Sequence, residues 1–267
     1  MPRLHVVIAS TRPGRTGPAV ADWFTGIAEK HGGFDVHVVD LAEVGLPLLD
    51  EPHHPAERNY THQHTKDWSA SVDAADAFVF VAPEYNYGIN AALKNAIDYL
   101  YFEWQYKPVG IVSYGNTSAG LRAAQMTKQV VTTLKMMPVT ESVAIHFIGT
   151  HIAEDGTFQG TEGMAEAAGG MLDEIARFAE ALRPLREPQS DPTALTAPGT
   201  LEGNAVQQAH IILVGSGGQP YRDYAFRSLA GRYRLSALLP ADPTWQQPHL
   251  QDWRTADLTD PDAVTGA

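Results

Sequence analysis

The stretch Phe78-Val79-Phe80-Val81-Ala82-Pro83-Glu84-Tyr85-Asn86-Tyr87-Gly88, continued by Ala91-Ala92-Leu93-Lys94-Asn95-Ala96-Ile97-Asp98-Tyr99-Leu100, decides the fold. Its first five residues are an apolar run of strand length. Its middle is rich in turn formers, and its end carries apolar residues at helical spacing. In an open parallel sheet, ligands sit beyond the carboxyl ends of the strands. A loop with proline, acid, two tyrosines, asparagine and glycine at that place suits a flat polar ring.

Working outward, the same unit recurs. Residues 4–9 read as a buried strand, followed by the loop Ser10-Thr11-Arg12-Pro13-Gly14-Arg15-Thr16-Gly17-Pro18. A helix starts near Pro18 or Ala19, with proline at home in the first turn, and runs toward Lys30 with Val20, Trp23, Phe24 and Ile27 on one face. Hydroxyls from Ser10, Thr11 and Thr16, charge from Arg12 and Arg15, backbone N–H groups and a helix N-terminus then converge as an anion site. The competing reading is an ordinary helix cap with two solvated arginines.

Residues 34–40 alternate as a second strand, and 41–57 read as loop, with Pro47, Pro52 and Pro55. Leu46-Pro47-Leu48-Leu49 is expected to pack on the core or a partner subunit. His53, His54, His62 and His64 fall in this proline-rich part with no helix to fix them at ligand spacing, so they read as surface or interface histidines rather than a metal site. A helix follows at 65–75, then the strand at 78–82 and a fourth strand at 109–113. The loop Ser113-Tyr114-Gly115-Asn116-Thr117-Ser118-Ala119-Gly120 opens a helix over 121–134; its glycines allow close backbone approach to a ligand. A fifth strand at 139–145 and a closing helix at 165–182, with Met171, Leu172, Ile175 and Phe178 inward, complete the pattern. Strands alternating with helices predict an α/β fold, a doubly wound five-stranded parallel sheet.

Composition narrows the function classes. Lys plus Arg total 19 against 31 Asp plus Glu, a net charge of −12, which argues against nucleic acid and against an anionic membrane surface as partners. Cysteine is absent, which excludes disulfides, thiolate chemistry and cysteine-ligated metal centres. The first apolar run is only of strand length, so neither a signal peptide nor a membrane span is expected at the N-terminus, and a cytoplasmic location is the expectation.

Beyond the closing helix the character shifts. Pro184, Pro188, Pro192 and Pro198, with Ser, Thr and Gly between, mark a linker over 185–208. Residues 209–267 read as a partial Rossmann-like βαβ segment: a strand at 210–214, the loop Gly215-Ser216-Gly217-Gly218, a helix at 221–233 and a strand at 235–239. The third glycine of a dinucleotide fingerprint is missing. A short α/β appendage of this size cannot cover both faces of a parallel sheet. It is expected either to dock on another surface or to belong to a longer protein.

The three loops together, over residues 3–183, resemble the NADPH-dependent FMN reductases of the flavodoxin-like superfold. Ser10-Thr11-Arg12-Pro13-Gly14-Arg15-Thr16-Gly17 carries the likeness, with Pro83-Glu84-Tyr85-Asn86, Leu93-Lys94-Asn95-Ala96-Ile97-Asp98-Tyr99, and Ser113-Tyr114-Gly115 with Gly120-Leu121-Arg122. Thr16 and Gly17 stand where members usually have serine or glycine, and Asn116 where a second glycine is common. The resemblance implies FMN as cofactor, its phosphate held by Ser10, Arg12, Arg15, Thr16 and Gly17. It implies Pro83, Glu84, Tyr85, Asn86 and Tyr87 along the isoalloxazine, and Ser113, Tyr114 and Gly115 toward its N1–O2 edge. It implies hydride transfer from NADPH or NADH to flavin N5 and onward, in a ping-pong scheme, to a quinone, flavin, azo compound or similar small-molecule acceptor. The cofactor carries the redox chemistry, so no side-chain acid–base catalyst is expected. Lys94 and Asp98, one turn apart, would face another subunit of a homodimer or homotetramer. The alternative is a flavodoxin-like electron-transfer or flavin-binding module, fused to a ligase-type domain, since 210–239 weakly resembles the segment preceding ATP-grasp domains.

Overall fold

The computed structural model describes residues 1–186 in full and the backbone of 210–214, 234–240 and 253–257. The chain divides into two compact units, Met1–Ser190 and Asp191–Ala267. The first runs β1 (Arg3–Ile8), α1 (Gly17–His31), β2 (Asp35–Asp40), α2 (Leu41–Val44), α3 (Gln63–Ala74), β3 (Ala77–Tyr85), β4 (Gly88–Ile89), α4 (Ala91–Asp98), β5 (Pro108–Tyr114), α5 (Leu121–Thr133), β6 (Met137–Ile145) and α6 (Glu162–Arg186). Five strands pair in parallel in the order β2-β1-β3-β5-β6. The order reverses between β1 and β3, which puts the ligand crevice of a doubly wound sheet at their carboxyl ends.

Alternation along the strands builds two cores. Leu4, Val6 and Ile8 of β1 and Ala77, Val79 and Val81 of β3 pack with Val20 and Phe24 of α1 and Met171, Leu172 and Ile175 of α6. Val7, Ala9, Phe78, Phe80 and Ala82 face the other way, against Trp68 of α3, Leu93 and Ile97 of α4, Val131 of α5, and Trp104. Phe78, Phe80 and Trp104 are at most 1% exposed. Each such ring contributes roughly 1.5–3 kcal/mol relative to exposure, which is why β3 is the spine of the unit.

Three local readings change. First, the expected loop at 83–88 is mostly strand: β3 continues through Pro83, Glu84 and Tyr85, and β4 folds back on it, Glu84 opposite Ile89 and Tyr85 opposite Gly88. The sheet therefore has a sixth, antiparallel strand. Only Asn86 and Tyr87 remain as the turn, both left-handed (φ 49° and 70°), as a tight hairpin of type I′ demands. Second, the segment after β2 is not all loop. Asp40 caps the short α2, its Oδ1 accepting from Ala42 N at 2.9 Å. Third, His64 lies in the first turn of α3 and His62 at its N-cap. Their rings stack at 5.1 Å, and His64 Nε2 pairs with Asp50 Oδ1 at 2.9 Å. Among the described residues no group of three or more His, Cys, Asp or Glu is placed to hold a metal ion, and no helix is long and apolar enough to cross a membrane.

In the second unit β7 (His210–Val214) and β8 (Arg234–Pro240) pair in parallel, and β9 (Trp253–Asp257) adds to β8 antiparallel. The loop expected at 215–218 and the helix expected at 221–233 lie outside the described residues, as does most of the linker expected at 185–208.

Candidate functional site

The carboxyl ends of β1, β3 and β5 bring the three sequence-identified loops together, and specific contacts tie each loop to another. Loop one closes over the end of β5. A Cβ on Gly17 would collide with Ser10 Oγ and lie 3.0 Å from Tyr114 Oη, so any larger residue would have to displace these buried hydroxyls. Ser10 is fully buried and Tyr114 is 5% exposed. Burial pushes the Tyr114 phenol up to about 12, with the adjacent Ser10 hydroxyl pulling the other way. Neither hydroxyl makes a well-formed hydrogen bond among the described residues.

The two arginines of loop one do different things. Arg15 turns inward: its guanidinium forks onto Asp40 at the end of β2, with Nη1 at 2.6 Å from Oδ1 and Nη2 at 2.5 Å from Oδ2, and also donates to the Ser10 carbonyl. Burial raises the Asp40 pKa, but the Arg15 hydrogen bond and the Ala42 N–H outweigh it and the carboxyl ends below its usual range. Arg12 lies exposed and makes no ion pair among the described residues. Thr11 is exposed and Thr16 half-buried. Arg15 thus fixes the loop from behind while Arg12 supplies the outward charge.

Loop two is tied to loop three through Glu84. Its carboxylate, 7% exposed, accepts from Ser118 Oγ at 2.8 Å, Arg122 N at 3.0 Å and Arg122 Nη1 at 3.0 Å. The residue before α5, Gly120, has no side chain to cap the helix, so a carboxylate from another strand satisfies its first N–H groups. Burial works against the Glu84 charge, but these donors hold its pKa below the usual value. Asn90 ties loop two to β1, with Nδ2 donating to Ala9 O at 2.6 Å. Its Oδ1 is buried with no partner among the described residues.

Loop three is folded on itself. Ser113 Oγ donates to Ala119 O at 2.9 Å, so this hydroxyl holds the loop. Ala119 and Gly120 are both left-handed (φ 53° and 77°), and a Cβ on Gly120 would come within 2.7 Å of Tyr114 N. A further segment joins here: Phe147 N donates to Asn116 O at 3.2 Å and Ile148 N to Gly115 O at 3.0 Å. Phe147 is itself left-handed (φ 45°) and 51% exposed.

Of the residues singled out in the sequence, Arg12, Thr16, Tyr85, Asn86 and Tyr87 reach the surface of this edge. Ser10, Gly17 and Tyr114 meet beneath it, Pro83 and Ser113 are buried, and Gly115 is half-buried. Arg15 and Glu84 turn away to neighbouring elements. Sequence reasoning missed Asp40, Asn90, Ser118 and Phe147 as participants. Only Asp40, an acid at a strand's carboxyl end, carried any local signal. A concavity of ≈ 380 Å³, lined by Thr11, Leu41, Leu46, Ala91 and Asn95 among others, adjoins loop one on the α4 side. The tyrosine face is open, with Tyr87 72% and Tyr85 38% exposed.

The buried oxygens of Ser10, Tyr114 and Asn90 make no well-formed hydrogen bond among the described residues and fit a bound group rich in polar atoms. Comparison with known proteins agrees. The NADPH-dependent FMN reductase family matches over residues 2–150. An NAD(P)H-dependent FMN reductase of Schizosaccharomyces pombe is 43% identical over 137 residues, 51% of this chain and 68% of that protein. A probable NADPH:quinone oxidoreductase of Oryza sativa is 44% identical over 138 residues, 48% of this chain and 63% of that one. The flavoenzyme NAD(P)H:(acceptor) oxidoreductase FerB of Paracoccus denitrificans shares the fold, with a TM-score of 0.55 at 18% identity over 68% of this chain and 98% of that one. A sheet with its switch point between β1 and β3, three tethered loops at that point and a family match spanning all of them together place this chain in the NADPH-dependent FMN reductase family, as an FMN-using oxidoreductase.

Proposed function

We propose that the site holds FMN at the carboxyl edge of the sheet and that reduced nicotinamide and a flat acceptor, a quinone, free flavin or azo compound, use the same open face in turn. The observation that carries this reading is the place where Gly17, Ser10 and Tyr114 meet and the two hydroxyls make no well-formed hydrogen bond among the described residues. When bound, FMN supplies the hydride-accepting chemistry. Arg12, Thr16 and Ser10 would hold its phosphate at the start of α1, with Gly17 making room. Arg15 positions that loop through Asp40. Pro83, Tyr85, Asn86 and Tyr87 would flank the ring, and the backbone around Ser113, Tyr114 and Gly115 would face its polar edge, where N–H donors stabilise developing negative charge. Glu84 keeps the two ring-side loops in register. Sharing one face predicts ping-pong kinetics.

The test is direct. Purified protein should be yellow, NADPH or NADH should bleach the flavin, and a quinone should restore it. A flavin that neither nicotinamide bleaches would favour an electron-transfer role instead. No observation favours the ligase-type fusion. For the chain as a whole we read residues 1–184 as the reductase domain, 185–208 as a linker and 209–267 as a separate α/β segment; deletion of 186–267 should leave flavin binding intact. We also read the α4 face as a homodimer or homotetramer contact. Leu48 is 82% and Leu49 44% exposed beside it, held there by Asn95 through Leu49 N and Pro47 O. Lys94 and Asp98 pair within α4 at 2.5 Å. Sedimentation should give a dimer or larger, and Leu48→Asp a monomer.

A further inference from the structure

Arg122 is a cation at the mouth of the site that the preceding assignments leave without a ligand. It sits in the first turn of α5, with its side chain 51% exposed. Two contacts fix it. Nη1 donates to Glu84 Oε1 at 3.0 Å, and the guanidinium carbon lies 4.0 Å from the centroid of the Tyr87 ring. Stacked guanidinium groups of this kind lose little further freedom when they bind a second acceptor.

The pairing with Glu84 is single-pronged. Glu84 Oε2 takes the backbone N–H of Arg122 instead, and Nε and Nη2 make no hydrogen bond among the described residues. Half of the fork, the part suited to two parallel bonds with a phosphate, is therefore left without a hydrogen bond among the described residues, on a side chain that is 51% exposed. Glu84 also accepts from Ser118 and from the start of α5, so its carboxylate is not devoted to the Arg122 guanidinium. Of the other two loop cations, Arg15 is paired with Asp40 and Arg12 is assigned above to the FMN phosphate.

Resting on the reading that reduced nicotinamide uses the open face, we propose that Arg122 recognises a phosphate of the nicotinamide dinucleotide. It is a specificity-determining residue rather than part of the flavin cradle. The phosphate comes from one of two places on the dinucleotide, the 2′-phosphate that only NADPH carries or the pyrophosphate common to both.

The experiment compares wild type with Arg122→Lys and Arg122→Gln, after the flavin spectrum of each has shown that the cofactor is retained. Wild-type bleaching by NADPH tests the underlying reading separately; if it fails, that reading falls and not merely this one. Calorimetric titration with NADP⁺ and NAD⁺ gives binding without turnover, and steady-state kinetics separates KM from kcat. Loss of a charge-assisted pair should weaken binding by roughly tenfold to a hundredfold. Arg122→Gln should show all of this loss, and Arg122→Lys, which keeps the charge without the fork, part of it, with KM moving far more than kcat. A loss for NADP⁺ alone supports the 2′-phosphate, and an equal loss for both supports the pyrophosphate. Unchanged affinity for both nucleotides, or a fall confined to kcat, would overturn the proposal and leave Arg122 as a clamp on the Asn86–Tyr87 turn.

Discussion

The two ends of the sheet in the reductase unit are built from similar side chains and finished differently. At the amino end, Lys107 is buried just before β5, and its Nζ donates to Val72 O at 2.7 Å and Asp73 O at 3.1 Å, closing the C-terminus of α3. Arg186 at the end of α6 pairs with Asp76 Oδ1 at 2.9 Å, and Asp76 Oδ2 accepts Arg3 N at 2.8 Å. These charged groups end in internal partners. At the carboxyl end, Ser10, Asn90 and Tyr114 bury oxygens that make no well-formed hydrogen bond among the described residues, and aromatic residues stand exposed on left-handed backbone at Tyr87 and Phe147. A buried polar group left unmade costs about 1–3 kcal/mol. A fold that completes one end and leaves the other open marks the open end as the place where something else supplies the bonds. His5 Nδ1 and Gln105 Nε2, buried without a partner among the described residues, are the exceptions at the amino end.

The contrast can be broken at either end. The largest effect is expected from Gly17→Val, which drives a branched side chain onto Ser10 and Tyr114. Flavin content on purification should fall to near zero, while the far-ultraviolet circular dichroism remains that of an α/β protein. The matching change at the other end is Lys107→Ala. It strands the Asp73 carbonyl and removes one of two donors from Val72 O, which keeps Ala75 N, and should lower unfolding stability by about 1–3 kcal/mol in denaturant titration, with bound flavin per folded molecule unchanged. If flavin is lost there too, the ends are not independent.

Next comes Asp40→Asn, which weakens the fork that holds Arg15. It should cost about 1–3 kcal/mol and raise the Kd for FMN severalfold by loosening loop one. The wild-type Asp40 contribution is present above the ordinary carboxylate pKa, because the folded value is depressed. It is lost as pH falls through that folded value, and the variant should lack this share of the acid transition.

The smallest and most discriminating effect is the shape of the alkaline stability curve. Burial lowers Lys107 to about 8. The unfolded chain keeps that proton to a higher pH than the folded one, so this group makes stability rise from about pH 8 toward its ordinary value. Tyr114 is raised to about 12, so the unfolded chain ionises first and this group makes stability fall from about pH 10 upward. Tyr99, also raised to about 12 by burial, adds to the fall. Lys107→Met should remove the rise and Tyr114→Phe should shallow the fall, each read from denaturation midpoints across pH 7–11. The opposite assignment of slopes to variants would refute the sign of either shift.

Much of this was legible in the sequence, and its limits are instructive. The strand at 78–82, the helix at 91–98 and the small-residue loops after 9 and 113 follow from apolar runs, helical spacing and turn formers, all of which act over a few residues. The hairpin that converted Pro83, Glu84 and Tyr85 from loop to strand was missed because β4 has only two residues, too few for any periodicity. His62 and His64 read as lying outside any helix because the prolines before them mark a loop and the helical spacing begins at 65; the helix starts earlier, at Gln63, where Trp68 and Val72 dock it on the core.

The sequence by itself determined the class of fold, the three places where chain leaves the carboxyl edge of the sheet, and the family likeness those places carry. Tertiary structure alone decided what each side chain there does. Arg15 meets an acid 25 residues away, Glu84 an arginine 38 away, and Asn90 a carbonyl 81 away. Local patterns are set by backbone geometry, which repeats every two or 3.6 residues. Which charge finds which partner is set by how separate elements pack across the sheet, and no pattern of a few residues encodes that distance.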